Sequence, residues 1–333
     1  MPSLKKTLPI IIAGCFFMLS LSSASTQVTR DDEKSDKFIT QLYHRLHHKL
    51  KSDVVLRAEV FSAQFLGKPY LLGALGEGIT APYDQFPLYR TDAFDCETFV
   101  DTVLALTFSN GFNQFKQCIN EIRYREGKPS YISRNHFAEL DWNQNNQQKK
   151  FIKDITDTFH NESNQPVAEE AVAIIDKPSW YEHMTVEHLH LGDMSLDEKT
   201  KRLELLKQEG RQQTVSTSRI PYLPLSELFD SSEKANSYLF NQIPNGAIIE
   251  IVRPNWDLTK EIGTHLNVSH LGFAFWKNNT LWFREASSNH HMVIDVPLIE
   301  YLREALKSPT IKGINVQILL PHISAPGTRG CLS

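Results

Sequence analysis

The sequence predicts an α+β fold in which helices come first and an antiparallel sheet follows. Two observations carry this. Over 37–142 apolar residues recur at helical spacing, and after Pro224 the chain turns into short runs rich in β-branched and aromatic residues divided by turn signals. The composition of the 333 residues, 41% hydrophobic and 22% charged, is that of a globular protein with enough chain for a sizeable core.

In chain order, Lys5 and Lys6 precede an apolar run from Leu8 to Leu21 and the small residues Ser22-Ser23-Ala24. These are the three parts of a secretory signal peptide, expected over 1–24 and cleaved to give a periplasmic or secreted protein. The run is shorter than the roughly 20 apolar residues of a membrane span, so no membrane insertion is expected after cleavage. Ile12-Ala13-Gly14-Cys15 also resembles a lipoprotein box. A lipid anchor at Cys15 is therefore an alternative, weakened because Phe16 to Leu21 stays apolar.

Residues 25–36 are polar and charged and read as a solvated arm. Ile39, Leu42, Tyr43, Leu46 and Leu50 mark a helix, and Val54 to Leu66 a second one stopped by Gly67 and Pro69. A long Gly- and Pro-containing loop leads to Asp95, a capping residue, and to a helix over about Cys96 to Phe108 ended by Ser109-Asn110-Gly111. The polar stretch 143–222 is expected to be a largely helical insertion. The antiparallel sheet is expected over 223–322, its strands near Ala247–Val252, Leu271–Trp276, Leu281–Arg284, Val293–Val296 and Ile314–Leu320, with a tail at 323–333.

With 35 Lys+Arg against 39 Asp+Glu, the formal charge of −4 gives no electrostatic reason to expect nucleic acid as a partner. Removing the leader takes Cys15 with it and leaves Cys96, Cys118 and Cys331, an odd number for an exported chain. Cys118 and Cys331 either pair after export or both stay free. His183, His188 and His190, beside Glu182 and Glu187, have spacings that fit no regular helical metal site, so neither metal nor cofactor is expected.

Chemistry concentrates at three positions. Cys96 opens a helix directly after its cap, where unpaired N–H groups and the helix dipole favour an anion, and the thiolate is the nucleophilic form of cysteine. A structural buried cysteine is the plainer alternative. A cysteine nucleophile needs an imidazole to take and return its proton and a third polar group to orient the ring. His270, at the start of an apolar strand run, is the candidate base, and Glu285, in the next strand segment, the candidate orienting group.

Gly67-Lys68-Pro69-Tyr70, Phe94-Asp95-Cys96 and Ser269-His270-Leu271-Gly272 together resemble the NlpC-type papain-like cysteine hydrolases of bacterial cell walls. The likeness is greatest to their N-acetylmuramoyl-L-alanine amidase-like branch, long known as a domain of unknown function. Asp95-Cys96-Glu97-Thr98-Phe99-Val100, Tyr131-Ile132-Ser133-Arg134-Asn135-His136-Phe137 with Asp141-Trp142, Ser269-His270-Leu271-Gly272 and Ala286-Ser287-Ser288 carry that likeness in order.

The resemblance implies a papain-like core with the nucleophile helix packed on the sheet. It implies Cys96 as nucleophile, His270 as base, and hydrolysis of the muramoyl–L-alanine amide of peptidoglycan or muropeptides. Tyr70, Asp95, Arg134, His136, Ser269 and Ser287 become expected substrate contacts. Tyr70 would help hold the oxyanion and Arg134 would pair with a stem-peptide carboxylate, an internal salt bridge being the alternative for Arg134. The family usually has a histidine just before the Ala-Ser-Ser block, where this chain has Glu285. Alternatives are cleavage between D-glutamate and the diamino acid of the stem, and a wall-binding pseudoenzyme.

Overall fold

The computed structural model describes residues 24–46, 53–321 and 331; the expected signal peptide up to Ser23, Cys15 included, lies outside them. The described residues begin with helix α1 (Ala24–Leu46), followed by α2 (Val54–Ala63), α3 (Cys96–Phe108) and α4 (Phe112–Arg123). The stretch read as a solvated arm, 25–36, is the first half of α1. From Ser35 onward the helix is tied down, because Ser35 is buried and Asp36 accepts a hydrogen bond of 2.6 Å from the Tyr89 hydroxyl. Ile39, Leu42 and Tyr43 then enter the core, as their spacing predicts.

Among the described residues eight strands make the antiparallel sheet: β1 (Ile152–Asp154), β2 (Glu169–Asp176), β3 (Val215–Pro224), β4 (Ala247–Leu258), β5 (Thr264–Lys277), β6 (Thr280–Ser287), β7 (Met292–Pro297) and β8 (Gly313–Leu319). Their order is β2-β3-β8-β4-β5-β6-β7, with β1 also on β8. Side chains alternate across the central strands. Ile248, Leu271, Phe273 and Phe275 join the core formed with α1 to α4. Ala247, Ile249, Ile251 and Ala274 join a second core with Leu298 and Leu302 of the helix Leu298–Ala305. The sheet is thus buried on both faces, and α3 is buried from Thr98 to Phe108.

The region 143–222 departs from the expected helical insertion. It holds helices over Asn143–Gln148, Lys177–Glu182 and Leu196–Gly210, but also β1 and the long pair β2/β3, which runs from Glu169↔Tyr222 to Asp176↔Val215 and joins the main sheet through Leu223↔Ile314. Two things hide these strands in the sequence. The inward residues of β2 are the small or modest Ala171, Ala173 and Ile175 among glutamates, and β3 carries Pro221 and Pro224, which read as breaks. Among the described residues no helix is long and apolar enough to cross a membrane.

Cys118 of α4 and Cys331 are joined by a disulfide with Cα atoms 4.8 Å apart, which decides the pairing the sequence left open. Cys96 is the free cysteine among the described residues.

Candidate active site

Local chemistry fixes the start of α3. The Asp95 side chain accepts from the Thr98 backbone N–H at 2.8 Å, and the Thr98 hydroxyl answers from the Asp95 backbone N–H at 3.0 Å, a reciprocal capping box. The other carboxylate oxygen accepts from the Gly73 N–H at 2.9 Å. Gly73 has φ +66°, in the left-handed region that suits glycine. Both oxygens of Asp95, expected as a substrate contact, are therefore engaged in shaping the loop and the helix start. The same loop pairs Tyr70 with Phe94 and Pro69 with Met292, which brings the Tyr70 ring beside Cys96. Burial, then Cys96, Asp95 and Glu285 in turn, hold the Tyr70 hydroxyl above its ordinary pKa, so it stays a donor.

His270 reaches this helix start from β5. Ile251 of β4 pairs with His270 and Val252 with Val268, so Ser269 is an extra residue, a bulge immediately before the histidine. Bulges re-aim side chains, and this one turns the imidazole toward α3. Gly272 is needed two residues on, because a Cβ there would lie 2.6 Å from the Arg284 carbonyl and 2.8 Å from the Phe283 ring. With no side chain, β5 can press against β6 and bring Glu285 to the histidine.

The structure brings Cys96, His270 and Glu285 together. The imidazole Nε2 is ion-paired with Glu285 Oε2, the two side chains 15% and 3% exposed, and Cys96 is close enough to act on the ring electrostatically. Burial alone would lower the imidazole pKa. Cys96 and the Glu285 carboxylate outweigh it and raise it to about 10. The ring is held by two aromatic neighbours, Tyr301 stacked at 6.4 Å between centroids and Phe283 edge-on at 5.9 Å.

Tyr301 and Arg253 line this site and were not singled out from the sequence. Burial, followed by Glu285 and Cys96, raises the Tyr301 pKa. Arg253 Nε donates to Ser269 Oγ at 3.1 Å. Their only sequence signal is indirect, Tyr301 standing beside the apolar stripe of Leu298, Leu302 and Ala305. Ser287, expected as a substrate contact, is buried and bonded to His290 Nδ1 at 3.1 Å.

Arg134 and His136 belong to a second cluster. Arg134 donates to Glu77 Oε1 at 2.7 Å and Asp84 Oδ2 at 2.9 Å, both carboxylates buried, and His190 bonds Asp84 from the other side at 3.0 Å. The bidentate face expected to meet a stem-peptide carboxylate is thus filled from within, the salt-bridge alternative. His136 Nε2 donates to the Tyr131 carbonyl at 2.7 Å between the Tyr131 and Trp180 rings, and burial with the neighbouring Arg134 lowers its pKa. Among the described residues no three His, Cys, Asp or Glu side chains are grouped to hold a metal.

A family model described as AmiA-like, N-acetylmuramoyl-L-alanine amidase-like, matches residues 60–311, a span that contains Cys96, His270, Glu285, Arg253 and Tyr301. The chain belongs to this AmiA-like family. A crystal structure from Legionella pneumophila, of the family DUF1460, is 50% identical with a TM-score of 0.86, covering 89% of this chain and 98% of its own. An N-acetylmuramoyl-L-alanine amidase from Bacteroides uniformis is 24% identical with a TM-score of 0.53, covering 81% of this chain and 100% of its own. That second likeness speaks to the fold. No curated protein matches the chain. AmiA-like membership makes an amidase-type hydrolase the reaction class in which the site is to be read.

Proposed function

We propose that the protein is an exported cysteine amidase of the papain-like kind that hydrolyses the bond between N-acetylmuramic acid and L-alanine in peptidoglycan or its fragments. The observation that carries this reading is a single imidazole held between a free thiol at a helix start and a buried carboxylate, inside the region matched by an amidase-like family.

The Cys96 sulfur attacks the lactyl carbonyl carbon of the muramoyl group. Charge developing on that oxygen meets the Cys96 backbone N–H, unpaired at the helix start, and the Tyr70 hydroxyl. The imidazolium of His270 gives its proton to the nitrogen of L-alanine, the C–N bond breaks, and the peptide leaves with a free amine. The muramoyl group remains as a thioester on Cys96. His270, now neutral, takes a proton from water; the resulting hydroxide attacks the thioester, and the thiolate leaves with the proton held on His270. Glu285 stabilises the charged ring in both steps and takes the place of the histidine usual in the family. The signal-like leader and the Cys118–Cys331 disulfide support export, since such bonds persist in oxidising compartments.

The test is to incubate the mature protein with purified muropeptides and determine product masses. Release of a stem peptide beginning with L-alanine supports the reading. A fragment cut after D-glutamate would move the activity to the endopeptidase class, and binding without turnover would favour the pseudoenzyme.

A further inference from the structure

Arg253 is a cation without a countercharge in the wall of the site. Its side chain is half-buried between β4 and β5. Nε donates to Ser269 Oγ at 3.1 Å, Nη1 donates to Thr310 Oγ1 at 2.8 Å, and the guanidinium carbon lies 4.3 Å from the centre of the Trp256 ring. Both hydrogen-bond partners are neutral. Among the described residues the other buried arginines are compensated: Arg284 by Asp295, Arg123 by Asp101, Arg134 by Glu77 and Asp84, and Arg57 by the carbonyls at the end of α3. Among the described residues Arg253 has neither a carboxylate nor a carbonyl partner, and its Nη2 edge makes no hydrogen bond. Burial accordingly disfavours its charge, and Tyr301 is the neighbour whose electrostatic influence acts the other way.

Its position ties it to the reaction. Ser269, which it grips, is the bulge residue directly before His270, and consecutive Cα atoms are about 3.8 Å apart. Tyr301, which stacks on His270, is in electrostatic reach of Arg253, Glu285 and Cys96 alike. Asp95 and Glu285 bring negative charge to the surroundings of Tyr70, offset at Cys96 by the His270 imidazolium. A half-buried guanidinium with an open edge, held to the residue next to His270, attracts an anionic substrate, and its planar fork suits a carboxylate.

We propose that Arg253 is a specificity-determining residue whose open edge binds a carboxylate that the substrate carries within one or two residues of the scissile amide. On the amidase reading, upon which this proposal rests, the matching group is the α-carboxylate left free by a γ-linked glutamate, the second residue of the departing peptide.

Two muramoyl dipeptides that differ only at this group test it: one with the free α-carboxylate, the other with a carboxamide. Wild type is expected to favour the carboxylate in kcat/KM by about 10- to 100-fold, the range of a charge-assisted hydrogen bond. Arg253→Gln should collapse that ratio, chiefly through KM, and Arg253→Lys should keep part of it. Equal use of the two substrates by wild type, or an equal loss on both in Arg253→Gln, would overturn the proposal. If wild type turns over neither, the amidase reading fails. Titration of the same pair into Cys96→Ala protein, with and without Arg253→Gln, then decides separately: a carboxylate preference that disappears with Arg253 supports the proposal, and equal affinities overturn it.

Discussion

Replacing Glu285 by glutamine removes one charge from the ion pair that holds His270, while its size stays nearly the same. The imidazole of the native protein is raised to about 10 by Cys96 and Glu285 acting against burial. A hydrogen bond to a charged group contributes about 1.5–3 kcal/mol, and about 1.4 kcal/mol corresponds to one pH unit, so the substitution should lower the imidazole pKa by about one to two units. The sign follows from the charge. The imidazolium is present below its pKa and is lost as pH rises through it, so the alkaline limb of the activity profile should move down from near 10 toward 8 or 9. Measured at pH 7, kcat/KM should fall about 10-fold or more, because an amide orients the ring without stabilising its charge. The rate of Cys96 alkylation by iodoacetate, an anion that the imidazolium attracts, followed against pH by intact mass, reports the same limb without substrate. Glu285→His, which supplies the residue usual in the family, should retain more activity than Glu285→Ala. An alkaline limb that stays in place in Glu285→Gln, in both alkylation and turnover, would refute the assigned role of the carboxylate.

Three further outcomes follow from the packing. Glu250 is fully buried, bonded to Asn143 at 3.0 Å, and burial raises its pKa to about 8 from an ordinary 4.5. The native state therefore holds this proton where the unfolded chain has lost it, and stability falls as pH rises from 4.5 through 8. Glu250→Gln should match wild type near pH 4.5 and exceed it at pH 9 by on the order of 1–3 kcal/mol in urea titrations, Glu139, raised to about 7, keeping part of the slope. Asp95→Ala should cost about 1–2 kcal/mol through the lost cap and also lower kcat, because Gly73 and the Tyr70 loop lose their anchor; Asp95→Asn should recover part of both in denaturation and rate measurements. Cys118→Ser with Cys331→Ser should lower stability by about 2–5 kcal/mol, read as a drop in Tm, since the bond joins positions 213 residues apart.

The site was legible where chemistry depends on local signals. Asp95-Cys96 reads as a capped helix start, and His270 as the start of an apolar strand; the close approach that Gly272 allows was not read. Glu285 was readable because strand segments adjoin in order. Tyr301 and Arg253 were not, since each enters the site through contacts between distant segments and neither lies in a chemical motif. Arg134 shows the converse. Its motif is distinct, yet Glu77 and Asp84, 57 and 50 residues upstream, take its guanidinium, and nothing local announces them. The same non-locality hid β2 and β3, whose prolines and small inward residues become strand only when paired.

Trapping the enzyme during turnover tests the central claim most directly. Mature protein mixed with muropeptide, quenched in acid within the first turnovers and mapped by peptide mass, should carry the muramoyl fragment as a thioester on Cys96. Cys96→Ala should show neither adduct nor released peptide. Release of the stem peptide by Cys96→Ala at the wild-type rate would contradict it.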